Sequence, residues 1–325
     1  MKLFGLTIRS CAVFTLAALA SFPVRADVTL RYQTEFKPAA ALKPLLEPLL
    51  KTMQAGPAVS VRMKGNKGYT TAGAWSEIFD FAKQEVTLID PARKTFATLP
   101  ASQFSDKMAG AMPQTNTDQM QAMQKAMESI KTHIDSKMTG KTAEIQGVQA
   151  EEREITLTLD VPLPTSMAQT GPTMKMTMHI WTATKEEALR VPAIRELTGY
   201  QAWQKYMMNP VGMLEKMTAK MPGMSQTVGP LLDEIFKNPS VILRTRMEIY
   251  MPFMATMAKQ MAAQGKDLPG LDPDAPLLEM SQEVAELSSA PVDAALFEIP
   301  KDYTAVPADD MIQDLIKAKI AAKQN

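Results

Sequence analysis

Thr173 to Trp181 reads "TMKMTMHIW", with methionine at every second position: Met174, Met176 and Met178. Strict alternation over eight or nine residues is the period of a strand, not of a helix. It puts Met174, Met176, Met178 and Ile180 on one face and Lys175, Thr177, His179 and Trp181 on the other. The predicted outcome is that the methionines face inward while Lys175 and Thr177 face solvent or the sheet's outer side.

The same period recurs along the chain. In Asp27–Phe36, Val28, Leu30, Tyr32 and Phe36 alternate with Thr29, Arg31, Gln33 and Glu35. Val59, Val61 and Met63 oppose Ser60, Arg62 and Lys64, and Ile155, Leu157, Leu159 and Val161 oppose Glu154, Thr156, Thr158 and Asp160. Across Val241–Met251, Leu243, Met247 and Ile249 oppose Arg244, Arg246 and Glu248. "EVTLIDPARKTFATLP" reads as a hairpin turning at Asp90-Pro91-Ala92-Arg93. Strands with one apolar and one polar face belong to antiparallel sheets. About ten are expected.

Between the strands lie helical inserts carrying methionine stripes. Met120, Met123 and Met127 fall at helical spacing, as do Met213, Met217 and Met221, and Met251, Met254, Met257 and Met261. Pro44 and Pro48 break "LKPLLEPLLKTM" into short turns. Pro-rich connections run through Val161–Pro172 and Leu268–Pro276. "PADDMIQDLIKAKIAAKQN" reads as an amphipathic helix with acids early and lysines late, which suits the macrodipole.

Composition narrows the class. Lys2 and Arg9 precede the apolar run Cys11–Phe22, and Val24-Arg25-Ala26 places small residues at the two positions a signal peptidase reads. The run is too short to span a bilayer, so residues 1–26 are expected to be a secretory signal cut after Ala26. Removing 26 residues from 325 leaves 299, treated as a single domain with helical insertions (27–325). It also removes the one cysteine, so no disulfide holds the fold and a large core must. Lys2, Arg9 and Arg25 go with it, leaving 32 basic against 35 acidic residues, a net charge of −3. That balance lacks the basic stripe of a nucleic-acid binder. No later run is long and apolar enough to cross a membrane.

Catalytic patterns are sparse. His133 and His179 are the two histidines, and the chain has no Gly-x-Ser-x-Gly elbow, His-Glu-x-x-His pair or phosphate-binding glycine loop. Glu151-Glu152 and Asp309-Asp310 are adjacent, so a strand or helix splays them, and they read as solvated turn or cap residues. No catalytic residue, cofactor or catalytic metal is expected, and the chain is read as not an enzyme. The methionine face admits two readings, a cuprous-ion site and an apolar wall, because thioethers select soft metals. Residues on one strand face stand about 6.6 Å apart, and His179 points away from them. The wall is preferred, since methionine fills irregular apolar space.

The order of these segments resembles that of a group of bacterial exported proteins of unknown function related to the periplasmic carriers of outer-membrane lipoproteins. The matching pieces are "VSVRMKGNKGYTT", "SEIFDFAKQEVTLIDPARKTFATLP", "TGKTAEIQGVQAEEREITLTL", "MKMTMHIWTATK", "LTGYQAWQKYM" and "EVAELSSAPVDAALFEIPKDYTAVP". They span most of Asp27 to about Pro307. The resemblance implies an α+β fold: a strongly curved antiparallel sheet, a half-open barrel, with helices covering its concave face. It also implies an apolar cavity between the two, used by the carriers for acyl chains. The insertions near Gln103–Ile130, Tyr200–Asn238 and Pro252–Pro276 make this chain longer, and no functional residue of the carriers maps onto it.

The expected function is therefore binding of a hydrophobic small molecule or acyl chain in a methionine-lined cavity of an exported, periplasmic protein. Candidate lining residues are Met174, Met176, Met178, Met120, Met123, Met127, Met213, Met217, Met247 and Met254. A methionine-rich copper protein and an envelope protein with a packed core are the alternatives.

Overall fold

Two short turns with the same chemistry start the sheet. Asp80 Oδ1 accepts from the backbone N–H groups of Ala82 and Lys83 at 3.1 and 3.0 Å, and Asp90 Oδ1 from those of Ala92 and Arg93 at 2.9 and 3.1 Å. Each turn then reaches positive φ, at Gln84 and Lys94 respectively. An aspartate bonding its own backbone two and three residues on mimics a backbone turn and reverses the chain. "DFAKQ" and "DPARK" thus make two successive hairpins, of which the second was expected from the sequence.

The computed structural model describes residues 27–40, 42–44, 60–72, 75–111, 130–160, 172–207, 229–231, 234–235, 240–252 and 275–321. Its strands are β1 (Val28–Pro38), β2 (Ser60–Lys64), β3 (Lys67–Ala72), β4 (Trp75–Asp80), β5 (Glu85–Asp90), β6 (Thr95–Pro100), β7 (Lys131–Ile145), β8 (Val148–Asp160), β9 (Met174–Ala183), β10 (Ile242–Tyr250), β11 (Leu278–Ser288) and β12 (Thr304–Ala305). They form one 12-stranded sheet in the order β12-β6-β5-β4-β3-β2-β1-β11-β10-β9-β8-β7, open at both edges and not closed into a barrel. About ten strands are expected from the sequence and the sheet has twelve; the two-residue β12 is too short to carry a pattern of its own. β12 runs parallel to β6, so the sheet is mixed at that edge and antiparallel elsewhere.

Among the described residues the helices are few: α1 (Ala101–Ala111), α2 (Lys185–Arg190), α3 (Pro192–Met207) and α4 (Ala308–Ala321), with a 3-10 turn at Ala294–Phe297. Asp309 and Asp310 occupy the first turn of α4, as the sequence suggested. There Asp309 takes an ion pair from Lys107 of α1 at 2.7 Å. The β7–β8 hairpin turns through Gln146 and Gly147, both at positive φ, the backbone a two-residue primed turn needs.

The main core joins Val28 and Leu30 of β1, Phe79 of β4, Val86 and Leu88 of β5, Ile194, Leu197 and Tyr200 of α3, and Ile312 and Leu315 of α4. Phe79 is fully buried and its ring centroid lies 5.7 Å from that of Tyr200. Its neighbour on β3 is Gly68, where a Cβ would stand 3.1 Å from the Phe81 ring and 3.5 Å from that of Phe79. The glycine gives the two rings room to reach α3. A second cluster of Ile155, Leu157, Ile180 and Leu231 lies on β8, β9 and the helical residues near 231. Among the described residues, no helix is long and apolar enough to cross a membrane.

Candidate functional site

β9 is the strand that the alternation of Met174–Ile180 predicted, and its register shows what its apolar face meets. Met176 stands opposite Leu157 of β8 on one side and Ile249 of β10 on the other. Ile249 pairs with Leu278, and Leu278 with Pro38. One rung further along, Ile155, Met178, Met247, Met280 and Phe36 stand in line across β8, β9, β10, β11 and β1. Cross-strand neighbours on one face are in side-chain contact range. Two adjacent apolar rungs therefore run over five strands, a floor about 19 Å wide at the usual strand spacing.

This floor is partly covered. Leu231 and Ile235 lie against it, packed with Ile155, Leu157, Ile180, Met176 and Met178. Arg153 of β8 fixes that helical stretch: its guanidinium donates to the carbonyl oxygens of Glu234 at 2.8 Å and Ile235 at 3.1 Å. The floor residues Phe36, Met176, Met178, Met247, Ile249, Leu278 and Met280 remain half-buried.

Four of the ten candidate methionines can be placed. Met176, Met178 and Met247 join the floor. Met174 pairs with Leu159 at its margin and is half-buried. Met120, Met123, Met127, Met213, Met217 and Met254 lie outside the described residues. Met280 and Phe36 were missed as lining residues. The signal was present, since Leu278, Met280, Gln282 and Val284 alternate with Glu279, Ser281 and Glu283, but which strands these faces joined was not visible.

The polar face is less solvated than its residue types suggest. Lys175 is exposed as predicted, but Thr177 is only 7% exposed, flanked on its rung by Glu248 and Thr156. Glu152, expected as a solvated turn or cap residue, is 1% exposed and lies within β8. The strand does splay it from the exposed Glu151, and splaying sends it under β7. There it accepts from the Thr139 hydroxyl at 2.6 Å and the Lys141 ammonium at 3.2 Å, and meets His179 Nδ1 at 2.9 Å. His179 is thus bonded in a network, with Glu154 3.9 Å away, while His133 is exposed.

Burial pushes the Glu152 carboxyl up, but the Thr139 and Lys141 hydrogen bonds and the charges of Lys141 and His179 together hold it below its ordinary value. A carboxyl whose pKa is depressed on folding stabilises the fold above its ordinary value of 4.5 and loses that contribution as pH falls through the folded value. Glu152→Gln is expected to cost about 1–3 kcal/mol at pH 7, because a buried partner is lost. The deficit should shrink in urea unfolding as the pH is taken below 4.5. An equal deficit at both pH values would show that the charge is unimportant.

Further along the same face the charges pair with each other. Arg244 grips Glu283 with two bonds of 2.7 and 3.1 Å, its guanidinium 5.4 Å from the Trp181 ring. Arg246 reaches Glu279 at 3.0 Å and Glu248 at 2.9 Å. Arg244, Arg246 and Glu283 border an open groove of about 680 Å³ that also touches Gln33, Glu35 and Ser281. Such half-exposed pairs each contribute little to stability, but they keep this side of the sheet wet. Among the described residues, no three His, Cys, Asp or Glu side chains are grouped to hold a metal ion. No family model and no curated protein matches this chain.

Proposed function

We propose that this is an exported, non-enzymatic protein that holds lipid-like or other hydrophobic ligands against the methionine-centred floor. In this reading the sheet curves as a half-open barrel, with helices over the concave side, in the manner of the lipoprotein carriers that the sequence resembles. The observation that carries it is the pair of apolar rungs centred on Met176–Ile249 and Met178–Met247–Met280. Methionine has three rotatable side-chain bonds and no branching, so such a floor accommodates ligands of different shape.

Each buried methylene contributes about 0.8 kcal/mol, an upper limit of about fourfold in affinity per carbon. Displacement of a neutral fluorescent probe by alkyl chains of increasing length should therefore show affinity rising and then levelling when the space is full. Failure of every chain to displace the probe would leave a packed envelope protein. Export is supported by the Lys2–Ala26 pattern; N-terminal sequencing of the protein from its own cells should begin at Asp27, and a retained Met1 would overturn it.

One observation favours a second reading. Met178, Met247 and Met280 occupy one rung of three neighbouring strands, about 4.8 Å apart instead of the 6.6 Å or so along one strand. Three thioethers this close suit cuprous ion. Phe36 and Ile155 continue the rung at either end and offer no stronger ligand, so weak uptake against a competing chelator is expected. Tight one-to-one binding that Met247→Leu abolishes would favour copper over lipid.

A further inference from the structure

The rung next to the methionines is polar. Thr34, Gln282 and Thr245 stand in register across β1, β11 and β10, on the same face as Phe36, Met280 and Met247. The Gln282 amide donates to the Thr34 hydroxyl at 3.2 Å. Its carbonyl oxygen and the Thr245 hydroxyl have no partner among the described residues. Beyond this rung the face closes: Val284 is 1% exposed, and the Tyr32 hydroxyl donates to the Ile242 carbonyl oxygen at 2.8 Å. The polar rung therefore lies between the apolar floor and the main core.

We infer that Gln282 and Thr245 form a head-group subsite that selects single-chain lipids with an uncharged, hydrogen-bonding head, such as an acyl ester or a long-chain alcohol. The inference rests on the hydrophobic-ligand reading above. Neither side chain carries charge, and an amide carbonyl beside a hydroxyl can accept from and donate to a hydroxyl or ester. The cation on that rung, Arg153, follows Ile180 and is committed to the carbonyl groups of Glu234 and Ile235. A carboxylate head would lose its water without gaining a counter-charge from this rung, and burying an unpaired charge is strongly unfavourable. With the head here, the chain extends over the Met178–Met247–Met280 and Met176–Ile249–Leu278 rungs.

The test is competition for a bound neutral dye, N-phenyl-1-naphthylamine, at pH 8, by ligands sharing a sixteen-carbon chain. Monopalmitoylglycerol and hexadecanol should displace the dye about tenfold more tightly than palmitate, the size of one or two net hydrogen bonds. Gln282→Leu combined with Thr245→Val should erase that preference while dye affinity stays within about twofold, which also reports that the fold is intact. Gln282→Lys should reverse the preference toward palmitate. Palmitate binding as tightly as monopalmitoylglycerol in the unaltered protein, or a preference unchanged in the double variant, would overturn the subsite while leaving the hydrophobic floor standing. Failure of dye and lipids alike to bind would overturn the proposed function, and the subsite with it.

Discussion

Phe79→Ala should destabilise the protein by about 3–5 kcal/mol, the cost of deleting a buried aromatic ring and leaving a cavity. Phe79 is fully buried, with 0% of its surface exposed to water. It sits on β4 between Gly68 and Val86. Gly68 has no side chain to move into the space, and α3 leans on the same ring through Tyr200. A loss of this size is a large part of the 5–15 kcal/mol that ordinarily separates folded from unfolded chains. Tyr200 supplies a second readout. Burial, and after it the Glu77 charge, holds its hydroxyl well above its ordinary pKa. Removing the neighbouring ring should let water in and bring that pKa down, visible in an ultraviolet pH titration. Phe79→Leu, which keeps most of the volume, should cost less than half as much. An alanine variant as stable as its parent would mean that α3 does not depend on the β4 ring.

Met176→Asp is expected to weaken binding of a long alkyl ligand by about a hundredfold or more, because it sets a charge against hydrocarbon. Met176→Leu, a volume-conserving change, should stay within about tenfold. Met176 packs beside Ile155, Leu157, Ile180 and Leu231, so the aspartate also strains the second cluster. Met247→Asp separates the two effects, since Met247 lies on the floor without belonging to that cluster's packing. Urea unfolding of both variants beside the binding curves tells loss of ligand from loss of fold. Equal affinity in Met247→Asp and its parent, with the fold intact, would place the ligand elsewhere.

Local chemistry made the strands legible. Period-two alternation is a property of neighbouring residues, so β1, β8, β9 and β10 could be read from their own letters, as could the Asp90 turn and the capped α4. The "DFAKQ" turn had the same information and was overlooked. β12 could not be read, because two residues paired with β6 have no pattern of their own.

Sequence alone determined that Met174, Met176 and Met178 share a face, since the pleat alternates whatever the strand's neighbours are. It also determined that Glu151 and Glu152 must point apart. Only the tertiary structure decided what each face meets. The register of β9 against β10, and of β10 against β11, sets Met178, Met247 and Met280 side by side although they are far apart in the chain. The pairing of β7 with β8 buries Glu152 beneath Thr139 and Lys141 and leaves Glu151 exposed. The physical reason is that alternation depends on the backbone of one strand, whereas a rung is made by hydrogen bonds between strands whose order and register no single segment encodes.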